Sequence, residues 1–154
     1  IETRITDSGY GIPEEIREVL FDDGLILEVT PSLYYSGTGS YDRFGGRRVA
    51  TDAVGLCGEA SAFDGLYAFY PEGSISAPGF GLRIPNVDDL PADSTVELFV
   101  LGGLECTLLD GTHVPEAEWA KFGEAVVSAD GAEIVANEDA GLPCFTWLGY
   151  RLKE

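Results

Sequence analysis

The chain has 154 residues, enough for one domain that buries roughly two thirds of its unfolded surface and too few for two well-cored ones. With 45% hydrophobic residues, eight Phe, seven Tyr and two Trp it can fill a core, which argues against a disordered chain. A formal charge of -18, from 27 acidic residues against nine Lys and Arg, repels phosphate backbones and anionic lipid, so nucleic acid and bare membrane are poor partners.

In chain order, residues 2–6 read as a short edge strand closed by the turn cluster Asp7-Ser8-Gly9-Tyr10-Gly11. Pro13 stands where the first turn of a helix accepts proline, and Ile16, Val19 and Leu20 share a helical face with Glu14 and Glu15 at its N-terminal end. That spacing predicts a short helix ended by Asp22-Asp23-Gly24. Residues 25–30 form a strand with Leu25, Leu27 and Val29 on one face, stopped by Pro31. From Ser32 to Gly46 the sequence mixes Gly, Ser and aromatics without a period and reads as a long loop or open hairpin, with a strand following at 47–51.

Three apolar runs, 66–70, 80–84 and 96–101, then close on the turn clusters PEGS, PNVDDLPADS and GG. Alternation puts Val96, Leu98 and Val100 on one face, opposite Glu97 and Phe99, and sets Phe80, Leu82 and Ile84 against Gly81 and Arg83. Asp110-Gly111 marks a turn, and residues 115–119 read as one helical turn presenting Trp119 and Phe122 inward. Asp130-Gly131, between two β-rich runs, predicts a hairpin with a two-residue loop. The closing GLPCFTWLGYRL is apolar enough to pack back on the sheets. Short strands at intervals of roughly ten residues, without βαβ alternation, predict an all-β fold: an antiparallel β-sandwich of one domain over residues 1–154, with one short helix near the N-terminus and a helical turn near residue 117.

Methionine is absent, so the chain reads as a piece of a longer polypeptide, and no apolar run approaches the length of a membrane span. The three cysteines lack CxxC spacing and have one histidine for company, which does not make a zinc site. In a secreted protein they give one disulfide and one leftover thiol. Cys106 and Cys144, both in strand-like segments of the C-terminal half, are the preferred pair, leaving Cys57 buried or bonded outside this piece.

Residues 62–150 carry an ordered set of features. They run from YAFYPEGSISAPGFGLRIPN through DLPADSTVELFVLGG and the hairpin GEAVVSADGAEIVANEDAGLP to the aromatic closing motif FTWLGY. In this order they resemble β-rich ZU5-like or adhesin-associated modules of large bacterial secreted and surface proteins. The resemblance implies a non-catalytic extracellular spacer, assembly or adhesion module, and it carries over no functional residues. The segment LLDGTHVPEAEWAKF departs from it, standing as an insertion where such modules run directly between strands.

Candidate chemistry is sparse. His113, the sole histidine, lies in a loop with no G-x-S-x-G elbow to give it a nucleophile. The carboxylate pairs Asp22/Asp23, Asp88/Asp89 and Glu138/Asp139 are adjacent on turns, whereas glycoside hydrolysis needs two carboxylates facing across a cleft. Asp88, Asp89 and Asp93 lie close enough in sequence to offer Ca²⁺ hard oxygen ligands, although no D-x-D-x-D-G loop is present. Tyr34, Tyr35, Tyr41 and Phe44 can stack on sugar rings or on a partner. The expected role is a non-enzymatic structural, assembly or adhesion module, secreted or at the cell surface, that meets protein partners or its own copies through edge strands. The alternative is a carbohydrate-binding or calcium-stabilised recognition module using the aromatic segment.

Overall fold

The structure is a computed structural model and describes residues 3–4, 17–21, 23–29, 34–36, 43–52, 62–70 and 74–154. The described residues are all-β. Twelve strands follow one another: β1 (Thr3–Arg4), β2 (Arg17–Leu20), β3 (Ile26–Val29), β4 (Tyr34–Ser36), β5 (Arg43–Val49), β6 (Gly65–Tyr70), β7 (Ser74–Pro85), β8 (Thr95–Leu101), β9 (Trp119–Val127), β10 (Glu133–Ala136), β11 (Leu142–Cys144) and β12 (Trp147–Leu152). Every pairing between them is antiparallel.

The antiparallel β class is as the alternation predicts, but the ladder does not divide into two facing sheets. One path runs β1-β5-β6-β12-β8-β9-β10-β7-β3-β2, with β4 and β11 attached to the first half of β7. The sheet curls until its ends meet. Phe21, just after β2, packs on Phe69 of β6 at a centroid distance of 6.0 Å, and the backbone N–H of Arg48 in β5 donates to Asp23 Oδ2 at 2.6 Å. Gly46 lets the ends approach, since a Cβ there would lie 2.9 Å from the Phe69 ring and 3.0 Å from that of Phe21.

The predicted N-terminal helix is overturned where the structure describes it. Arg17–Leu20 is a strand, paired residue for residue with Ile26–Val29. The Gly24 N–H donates to Phe21 O, the Phe21 N–H donates to Leu25 O, and Gly24 takes a φ of +86°, so the Asp-Gly pair turns a hairpin rather than ending a helix. The helical turn near residue 117 is overturned as well. Ala117 sits at φ +64° with its N–H on Gly102 O, a left-handed turn that leads straight into β9 at Trp119.

The alternation of the central strands holds. Val96, Leu98 and Val100 of β8, Phe80, Leu82 and Ile84 of β7, and Leu27 and Val29 of β3 are all buried in one core, joined by Ala125, Val127, Ile134, Leu142, Phe145 and Leu148. The last strand lies in the middle of the sheet: β12 pairs with β6 on one side and β8 on the other, so the C-terminal segment completes the fold. Cys106 and Cys144, both buried in this core, form a disulfide with Cα atoms 5.7 Å apart.

Of segment 32–46 the structure describes residues 34–36 and 43–46. Tyr34–Ser36 pairs with β7, and β5 pairs with β6 from Gly45 on, so these two strands do not pair with each other as a hairpin. The hairpin at Asp130-Gly131 forms as predicted with a longer loop. The Gly131 N–H donates to Ser128 O and the Ser128 N–H to Glu133 O, with only the glycine of the pair at positive φ. Asp110-Gly111 turns in the same way, its glycine N–H donating to Leu108 O and the Leu108 N–H to Thr112 O.

Candidate functional site

The polar residues that the fold draws together lie where the ends of the curled sheet meet. Arg48 of β5 and Tyr67 of β6 are direct cross-strand partners, which puts both side chains on the inner face. Tyr150 of β12 stacks beside Tyr67 at a centroid distance of 6.4 Å. Asp88, on the turn after β7, accepts 2.5 Å hydrogen bonds from the Tyr150 hydroxyl and from an Arg48 Nη. Asp23, on the β2–β3 turn, holds the Arg48 backbone. Five segments far apart in sequence thus meet through one guanidinium, two carboxylates and two phenols.

Burial raises the pKa of both tyrosines above the ordinary phenol value. The Asp23 carboxylate adds to this at Tyr67, and the hydrogen bond to Asp88 adds to it at Tyr150. For Arg48, burial works against the charge, but Tyr150 and Asp88 more than offset it, and the guanidinium is held above its usual value. The cluster is therefore a fixed array of Asp88 carboxylate, Arg48 cation and neutral phenols. Arg48 and Asp88 keep 33% and 23% of their side-chain surface in solvent, so the array opens to the outside at one edge.

A second polar group lies on the outer face. Glu97 accepts from Lys121 at 2.9 Å and from Arg151 Nε at 3.0 Å, while Glu124 accepts from Lys121 at 2.7 Å and from Lys153 at 2.8 Å. Lys121 and Arg151 hold Glu97 below the usual carboxylate range, and Lys121 with Lys153 holds Glu124 at about 2. The only two lysines of the chain are both spent here. Next to it a cleft of about 660 Å³ is lined by Asp64, Glu97, Arg151 and Lys153. Arg151 also lies over the Phe99 ring at 4.7 Å, and Phe99, Phe63 and Trp119 form an aromatic cluster above Gly149.

The residues singled out from sequence fare unevenly. Asp88 belongs to the inner cluster, whereas Asp89 and Asp93 are exposed, each at positive φ. Among the described residues no three or more His, Cys, Asp or Glu side chains are arranged to hold a metal ion. Tyr34 and Tyr35 lie in β4 opposite Ser76 and Ile75, and Phe44 lies in β5 opposite Thr3, so these residues belong to strands rather than to one loop. Tyr41, Asp22 and Cys57 lie outside the described residues. His113 is exposed and bridges to Thr107 in a small antiparallel turn. Sequence reasoning passed over Arg48, Tyr67 and Tyr150 because each reads as an ordinary strand residue, and only the pairing of β5, β6 and β12 brings them to Asp88.

The fold and its bonds define a disulfide-linked, antiparallel all-β protein with a polar array at the seam of its curled sheet. No family model matches the chain, and neither the curated proteins nor the solved structures compared with it contain a match.

Proposed function

We propose that the chain is a non-enzymatic structural, assembly or adhesion module of a larger secreted or surface protein, meeting its partners through strand edges. One observation carries the reading: the strand path ends at β1 and β2, each paired on one side only among the described residues, on a body locked by a buried disulfide. A one-sided strand presents backbone donors and acceptors to another chain, and strand addition uses them. The disulfide fits an oxidising compartment. The acidic surface keeps such a body soluble and directs it toward basic or uncharged partners.

Light scattering across a concentration series tests this. A native mass above that of one chain is the expected result, and a strict monomer throughout removes self-assembly. A glycan array, run with and without a chelator, tests the recognition role: saturable, chelator-sensitive binding would move the reading to a calcium-stabilised lectin-like module.

A further inference from the structure

Three atoms of the inner array stand out. Asp23 Oδ1, Arg48 Nε and the Tyr67 hydroxyl are buried and lack a hydrogen-bond partner among the described residues. Tyr67 as a whole is 1% exposed, so bulk water does not serve it. Native interiors leave few polar atoms in this condition, because each has given up its hydration for nothing in return. Here three gather at one place: Arg48 and Tyr67 face each other across β5 and β6, and Asp23 holds the Arg48 backbone.

Their chemistry specifies what would satisfy them. Arg48 Nε–H only donates, Asp23 Oδ1 only accepts, and a neutral phenol can do either. One uncharged oxygen bearing a hydrogen meets all three, accepting from Arg48 and Tyr67 and donating to Asp23. An anion would face Asp23 and Asp88, a cation would face Arg48, and an apolar guest would leave every one of the three unpaired. We propose that the seam of the curled sheet is a binding site for a hydroxyl oxygen, supplied by a resident water or by an uncharged polyol such as a sugar. Beside these atoms, Arg48 and Asp88 keep part of their side chains in solvent. The proposal is independent of the edge-strand reading, since neither β1 nor the outer edge of β2 takes part.

Tyr67→Phe tests it by deleting the hydroxyl and keeping the ring. If the hydroxyl bonds a guest, the variant melts about 2–4 °C lower, the shift expected in a chain of this size for one lost hydrogen bond. If the hydroxyl faces nothing, its removal relieves an unpaired group and the variant melts at or above the parent, which overturns the proposal. Nitrogen-15 NMR of the Arg48 Nε–H in the parent chain then separates the sources. A cross-peak to a slowly exchanging water supports a resident water, and a saturable shift on adding D-glucose, D-galactose, D-mannose or glycerol supports a polyol. A lower melting temperature with neither signal means that Tyr67 bonds Asp23 directly, and that result also overturns it.

Discussion

The protein holds two charge clusters built from similar groups in opposite surroundings. At the seam, Arg48, Asp88 and Tyr150 are tied by bonds of 2.5 Å between segments 40 and 62 residues apart, with the Tyr150 side chain fully buried. On the outer face, Glu97, Lys121, Glu124, Arg151 and Lys153 make four ion pairs at the solvent-exposed surface. The difference teaches that location sets the worth of such contacts. An exposed ion pair trades one hydrated state for another and gains little. A buried polar group that loses its partner loses its hydration as well. The inner cluster should govern the fold, and the outer one should tune it.

The sharpest way to break that contrast is Gly65→Ala. Gly65 pairs with Tyr150 across β6 and β12, and a Cβ there would lie 2.2 Å from the Tyr150 ring, so the ring has to leave its place beside Asp88. The expected loss is about 3 kcal/mol, the upper end for overpacking, read from urea unfolding. A variant as stable as the parent would show that the Tyr150 position matters little.

Alkali is the next largest perturbation. Tyr67 and Tyr150 have pKa values above the phenol value of 10.0 because burial opposes the phenolate. A group with its folded pKa raised contributes stability that is complete below its unfolded pKa, about 10, and that disappears as pH rises through the folded one. In a spectrophotometric titration of the seven tyrosines, two should resist ionisation until the chain unfolds, and stability should fall above about pH 10. Free titration of all seven in the folded chain would contradict the buried array.

The smallest effect belongs to the outer cluster. Lys121 and Lys153 lower the Glu124 pKa from 4.5 to about 2, so its contribution is present above the ordinary value and is lost as pH falls from 4.5 toward 2. Glu124→Gln should change the melting temperature only slightly at pH 6. The difference should vanish near pH 2 and shrink in 1 M salt, where screening shortens to about 3 Å. A large salt-insensitive loss at pH 6 would erase the distinction between the clusters.

Three of the four Asp-Gly pairs show how far local reading reaches. At 130–131 the flanking runs are visibly β-rich and the pair is rightly read as a turn between strands, while at 110–111 the pair is rightly read as a turn, closed by one isolated bridge between Thr107 and His113. At 23–24 the same chemistry follows Ile16, Val19 and Leu20, whose spacing also fits a helix, so the pair is misread as a helix end. Pairing with Ile26–Val29 decides for the strand, because each residue of Arg17–Leu20 stands in register opposite a residue of β3. The candidate site was legible in one residue only. Asp88 stands out in an acidic turn, but its counterparts Arg48 and Tyr150 have no local mark of their role.

By itself the amino-acid sequence determined the strand class, the inward sets on β3, β7 and β8 and the 130–131 hairpin, since side chains alternate every residue and turns depend on their own few residues, and it favoured the Cys106–Cys144 pair that the fold joins. Tertiary structure alone decided that the strands run on as one curled sheet, that the final segment lies at its centre, and that Asp23, Arg48, Tyr67, Asp88 and Tyr150 meet at the seam. The physical reason is range: alternation and turns are fixed within a few residues, whereas curl and strand order are fixed by which apolar faces close over the core.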